Sequence, residues 1–253
     1  MKKELVVALI PLLAALAGCS SAVELTSRWH TGRAESKTES AVYLKDENLI
    51  ADFQNDSEYI YVSLATNDRF TQQQIVRSGL TVWFDYQGGK SKRFGIHYPI
   101  NVWFTPYGER HQFPGRNPDT SWTIPENLSD EIEIFGPMKD EQHRMRMEDT
   151  RGIDVKIENQ NGTMYYVLQV PLMDNEQHLY GIGTHPGATI GIGVEAGSPF
   201  SRSRPEGFGR GFGGGFGGGM RRPSFGGSRE GFGEPREPLK VWFKIHLAKT
   251  NSA

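Results

Sequence analysis

One pattern constrains this chain more than any other. From Ser40 onward its apolar residues fall in strand-length runs that alternate with polar ones, and no helical period lasts longer than about two turns. Asn48 to Gln54 and Glu58 to Ala65 alternate on either side of Asn55-Asp56-Ser57, which reads as the turn of a hairpin. Gly79 to Tyr86 is β-branched and aromatic, Gln87-Gly88-Gly89-Lys90 supplies a tight turn, and Lys92 to Tyr98 returns until Pro99 ends the strand. Further strands are expected at 130–135, 153–158, 164–170, 188–195 and 239–247, with Asn161-Gly162 as a strong hairpin turn. The one short helix expected runs from Gln72 to Arg77, with Thr71 as its N-cap. So many strands with so little helix fold most economically as an all-β domain over 40–250. We expect a single antiparallel β-sandwich, immunoglobulin-like or jelly-roll-like, with a barrel as the alternative.

The chain of 253 residues holds one cysteine, so it forms no intramolecular disulfide and no cysteine-rich zinc site. That residue is Cys19. It follows a basic start, Met1-Lys2-Lys3, an apolar run from Leu5 to Leu16, and the small residues Ala17-Gly18. The arrangement resembles a bacterial lipoprotein signal. The resemblance implies that residues 1–18 are a signal peptide and that the Cys19 sulfur carries a lipid, with more than one acyl chain giving a stable membrane anchor. Ser20 after the cysteine resembles outer-membrane sorting. The expected location is therefore the cell envelope, lipid-anchored at the outer membrane and facing the periplasm or the surface. Residues 19–39 are polar and weakly patterned, as a tether between lipid and domain would be. A formal net charge of −2 supplies no positive field for nucleic acid, which is excluded as a partner.

Residues 198–238 form a low-complexity insertion rich in Gly, Phe and Arg, read as disordered because glycine loses the most backbone entropy on ordering. Arg202, Arg204, Arg210, Arg221, Arg222 and Arg229 outnumber Glu206, Glu230 and Glu234 there. An arm of that charge suits an anionic surface or an envelope protein.

The candidate ligand-binding residues are Trp103, Tyr107 and Trp122, in the long irregular stretch from Ile100 to Asn127. Flat aromatic rings on a loop stack on the C–H face of a sugar; the competing role for each is core or rim packing. Trp83 lies mid-strand between Val82 and Phe84 and reads as packing. Asp52, Asp56, Asp68 and Asp85 fall near strand ends, where oxygens could converge on a hard cation, so calcium is the cofactor left open and no metal ligand is assigned. The histidines are dispersed, and a zinc site would have to draw on distant loops. His143 with Met145 or Met147 has the residue types of haem ligation, but 141–148 reads as a charged connector. There is no G-x-S-x-G, Glu131 and Glu133 share what reads as a solvated face, and Gly181-x-Gly183 precedes no helix. No catalytic residue is assigned and the chain reads as a non-enzyme.

Several segments together resemble family 9 carbohydrate-binding modules and the related DOMON-like sandwiches. Asn55-Asp56-Ser57-Glu58-Tyr59-Ile60-Tyr61-Val62 is similar to their N-D-x-x-Y-L-Y-V hairpin, and Tyr165 to Leu172 resembles their Y-x-x-E-x-x-I-P-L strand. Ala188 to Val194 is similar to G-x-x-I-G-I-N-V, and Val241-Trp242-Phe243 to the closing strand. Gln169 stands where the family often has Glu. The resemblance implies a β-sandwich that binds a glycan ligand without catalysis. The alternative is a structural or assembly component of the envelope acting through protein or lipid contacts.

Overall fold

The structure is a computed structural model and describes residues 22–32, 41–100, 128–138, 141–197 and 237–250. In chain order its elements are β1 (Val23–Thr26), β2 (Arg28–Trp29), β3 (Val42–Leu44), β4 (Leu49–Asn55), β5 (Tyr59–Thr66), α1 (Arg69–Ser78), β6 (Leu80–Asp85) and β7 (Phe94–Tyr98). There follow β8 (Glu131–Phe135), β9 (Gln142–Arg146), a 3₁₀ turn (Met147–Thr150), β10 (Asp154–Gln160), β11 (Thr163–Pro171), β12 (Thr189–Ala196) and β13 (Lys240–His246).

The strands form two sheets, one in the order β1-β13-β12-β6-β7-β8-β9 and the other β10-β11-β5-β4-β2, with β3 pairing β4. This is an all-β sandwich, not a barrel. Alternation along each strand decides which side chains lie between the sheets. Ile60, Val62 and Leu64 of β5 and Tyr166, Leu168 and Val170 of β11 face Leu80, Val82 and Phe84 of β6 and Ile190, Ile192 and Val194 of β12, all essentially inaccessible. The residues between them point outward, and both outer faces matter below.

Local chemistry explains the hairpins. Asp56 Oδ1 accepts from the Glu58 and Tyr59 amides at 2.8 and 2.7 Å, and its Oδ2 accepts from the Tyr61 hydroxyl at 2.8 Å, which closes the β4–β5 turn. Asn161 and Gly162 both take positive φ (53° and 82°), as a tight β10–β11 turn requires. The helix is longer than the periodicity suggested and its cap is Asp68, not Thr71. The Asp68 carboxylate accepts from the Thr71 amide and hydroxyl, each at 2.9 Å.

Two further expectations are corrected. The stretch taken as a tether begins its strand structure at Val23. Residues Val23–Thr26 run parallel to β13, and Arg28–Trp29 run parallel to β4 in the other sheet. The sandwich is therefore antiparallel except at these two edges, whose unpaired backbone groups are satisfied by the N-terminal chain. Within 141–148, Gln142–Arg146 form an edge strand rather than a connector: its alternation turns His143 and Met145 inward, and Met145 and, from the 3₁₀ turn, Met147 pack on the core.

The chain changes sheets at Ser27, and Asn55 holds the crossing. The fully buried Asn55 amide oxygen accepts from the Ser27 hydroxyl and from the Ala248 amide at 2.8 Å. Its nitrogen donates to the Asp56 and Ala248 carbonyls, both at 3.1 Å. Every hydrogen-bonding position of the amide is used. Asn55→Ala removes them all and leaves buried partners unpaired, so we expect a loss of about 2–4 kcal/mol in denaturant unfolding with an unchanged m-value. Asn55→Asp is expected to be nearly as costly, because a carboxylate supplies no donor. A change under about 0.5 kcal/mol, the range of an ordinary surface substitution, would overturn this assignment.

Candidate ligand-binding face

Cys19, Trp103, Tyr107 and Trp122 lie outside the described residues, as does the Gly-rich stretch from Ser198 to Arg236. The described ends of the chain show where these stretches join the fold. Tyr98 and Ala196 both pair with Leu80, the first residue after α1 and its Gly79 cap, and Lys240 pairs with Glu195. Residues 101–127 thus leave β7 at the helix end of the sandwich, and the Gly-rich stretch is connected to β12 and β13 at that same end.

The four aspartates do not converge. Asp52 meets Arg28 at 2.8 Å, Asp56 closes its turn, Asp68 caps α1, and Asp85 is tied to the hairpin that follows it. Among the described residues no group of three or more His, Cys, Asp or Glu is placed to hold a metal ion. His143 Nε2 lies 2.9 Å from Glu141 Oε1, and Glu131 is paired with Arg144.

The residue that the sequence undervalued is Trp83. Core positions Val82 and Phe84 flank it, so it points to the outer face of the seven-stranded sheet, where it is half-buried. Strand register places it in a transverse line: Trp242 on β13, Gly193 on β12, Trp83 on β6, Gly95 on β7 and Phe135 on β8. Large and small residues alternate along this line, and each indole lies across a glycine. A β-carbon on Gly95 would stand 2.6 Å from Trp83 Cε3, and one on Gly193 would stand 2.6 Å from Trp242 Cζ2. Any side chain at either position would lift the ring off the sheet. The Trp83 and Phe135 ring centroids are 5.3 Å apart at 35°, forming one aromatic surface, while Trp242 is only 8% exposed.

The next line along the strands is polar: Lys240, Glu195, Thr81, His97 and Glu133, again in register. Lys92 reaches over from the β6–β7 hairpin to Glu195 at 2.5 Å, its ammonium 5.3 Å from the centre of the Trp83 ring. Thr81 Oγ1 and His97 Nδ1 are 2.9 Å apart. The hairpin itself folds over β12. The buried Asp85 carboxylate accepts from the Gln87 and Ser91 amides, and Arg93 stands 3.4 Å from it and 5.1 Å from the Tyr86 ring centre. The result is a flat aromatic patch bounded by balanced charges and neutral donors and acceptors.

Trp83 Nε1 is buried and has no hydrogen-bond partner among the described residues, as is also true of Tyr166 Oη in the core. A buried donor without an acceptor costs about 1–3 kcal/mol, a penalty that phenylalanine at the same position would avoid.

Comparison with known proteins adds little beyond this geometry. No family model matches the chain, and no curated protein does. Among solved structures, it is similar to a family 9 carbohydrate-binding module from Caldicellulosiruptor kristjanssonii in complex with glucose. The identity is 7% and the TM-score 0.35, over 70% of this chain and 78% of that one. At that level the likeness adds no argument to the strand pairing, which establishes the sandwich by itself.

The polar line carries a pH signature. Burial pushes the His97 imidazole below its ordinary 6.5, against a weaker upward pull from Glu133. Below 6.5 the unfolded chain takes up a proton that the folded one refuses. Stability should therefore fall as pH drops through the window just under 6.5 and level off once the folded group also protonates. His97→Gln should flatten that part of the stability–pH curve relative to the parent chain. Parallel curves for the two proteins would mean that His97 titrates freely in the fold.

Proposed function

We propose that this chain is a lipid-anchored, extracytoplasmic, non-catalytic binding module for carbohydrate, and that the glycan is received at Trp83 on the outer face of the seven-stranded sheet. The observation that carries the reading is the Trp83 indole, laid on Gly95, continued by Phe135 and half-buried on an outer sheet face. A pyranose is itself two-sided, with axial C–H groups on a face and hydroxyls around the rim. Indole offers an apolar face for the first, and the polar line beside it meets the second. Around it, Lys92, Glu195 and Thr81 supply donors and acceptors without an excess of either charge. The sequence resemblance of Asn55 to Val62 and Tyr165 to Leu172 to family 9 modules points to the same ligand class. Trp103, Tyr107 and Trp122 remain ligand-binding candidates, because residues 101–127 connect β7 and β8, the strands that carry Gly95 and Phe135.

The full chain, purified in detergent, can be titrated with a glycan panel by tryptophan fluorescence and calorimetry. Trp83→Ala should weaken binding about tenfold or more, the order expected of one aromatic contact, while Trp29→Ala in the opposite sheet leaves it unchanged. Equal affinities for the parent and Trp83→Ala would remove the site. The anchor has its own test. Cys19→Ala should abolish incorporation of radiolabelled fatty acid and move the protein from the membrane to the soluble fraction, and persistence in the membrane would refute anchoring through Cys19.

A further inference from the structure

The other outer face carries a feature that Trp83 leaves unused. At the helix end of the six-stranded sheet, Tyr43, Ile50 and Ala65 stand in one cross-strand line on β3, β4 and β5. Tyr43 is 58% exposed and Ile50 37%, and with Tyr165 on β11 they form an open apolar surface on this face. The small side chain of Ala65 lies between Ile50 and Tyr165, its register partner on β11. It helps form the floor of a hollow of about 210 Å³.

The chemistry of the hollow is selective. Asn48, Asn67 and Thr163 supply amides and a hydroxyl at its edge, and Asn48 Oδ1 accepts from the Tyr43 hydroxyl at 3.3 Å. None of the described residues lining it is charged. A phosphate, a carboxylate or an ammonium entering it would lose hydration with no counter-charge in return. The volume is below the roughly 300 Å³ at which sites for drug-sized ligands begin, which limits the occupant to about one ring. A neutral molecule with one apolar face and a rim of hydroxyls meets all of these terms.

We propose that this hollow is a second glycan subsite, taking a single neutral pyranose ring stacked against Tyr43 and hydrogen-bonded to Asn67 and Thr163. The proposal rests on the reading that the module binds carbohydrate, but not on Trp83 as the place. Two sites on opposite faces would let one domain engage two chains, or two points on a polymer, with a gain in avidity that neither site has alone.

The test uses the full chain in detergent with a panel of neutral methyl hexopyranosides, and glucuronic acid and glucosamine as charged comparisons. Ala65→Phe fills the hollow from an outward-facing position, and Asn67→Ala removes one polar contact without adding bulk. Thermal unfolding of each variant confirms that the sandwich is intact. The expected result is neutral-sugar binding that survives in Trp83→Ala, is lost in Trp83→Ala with Ala65→Phe, and weakens about tenfold in Trp83→Ala with Asn67→Ala, while the charged sugars do not compete. Complete loss of binding in Trp83→Ala alone would overturn the second site and leave the first standing. Binding untouched by Trp83→Ala and abolished by Ala65→Phe would keep the hollow and remove the first site. Equal binding of charged sugars at the hollow, concentration-dependent dimerisation abolished by Ala65→Phe, or no binding by the parent chain would each overturn the proposal.

Discussion

A buried amide links the two sheets where the chain crosses between them. Asn55 ends β4 in one sheet, yet its side chain bonds to Ala248, just past β13 in the other, and to Ser27, where the N-terminal chain crosses between them. A hydrophobic side chain there could fill the space but could not donate to the Ala248 carbonyl, and the Ala248 amide would keep only the Ser27 hydroxyl. An aspartate would accept two of the bonds and repel the carbonyls that receive the others. The neighbouring Asp56 has the complementary task of accepting from three donors to turn the chain back into β5. The Asn-Asp pair therefore divides two jobs, joining the sheets and closing the hairpin, and the order of the two residues is not interchangeable.

A second constraint acts on the outer face. Glycine within a strand weakens it by roughly 0.5–1 kcal/mol, and this sheet carries Gly95, Gly191 and Gly193 on one face. Each is covered by something that a side chain would displace: the Trp83 ring, the β6–β7 hairpin at Gly89 and the Trp242 ring. The glycines and what covers them form one arrangement, in which flat groups lie directly on the backbone of the neighbouring strand. On this face the Trp83 ring both covers Gly95 and meets Phe135, so one side chain links three strands.

Much of this was legible in the sequence because it is local. The hairpins β4–β5, β6–β7 and β10–β11 are joined by Asn55-Asp56-Ser57, Gly88-Gly89 and Asn161-Gly162, and alternation on either side fixes which residues face the core. What escaped was short or non-local. β1 and β2 have four and two residues, and β1 takes its partner from the far end of the chain. No window of sequence holds that information. β3 has three residues, so Tyr43 could not be assigned to an outer face. Trp83 sits in a run, Val-Trp-Phe, that looks uniformly apolar. Only the pleat separates its face from that of its neighbours, and only the register shows that glycines lie beside it. The cap of α1 was misplaced by three residues because Thr71 and Asp68 both suit the position, and the longer reach of the helix decides for Asp68.

The correction at the N-terminus changes what an anchor at Cys19 would do. A tether of some twenty residues would let the domain range freely above a membrane. Instead β1 begins at Val23, four residues after Cys19, a span of at most about 14 Å. Because β1 runs parallel to β13, with Val23 level with Phe243, the chain enters from the end that carries α1. The strand from Phe243 back to Lys240 already uses about 10 Å of that span. Acylated at Cys19, the sandwich would have only a few ångströms of slack and would sit with its helix end against the lipid. The Trp83 patch, midway along β6, would face sideways, parallel to the membrane plane and clear of it. An anchor this short would fix the orientation of the binding face as well as its location.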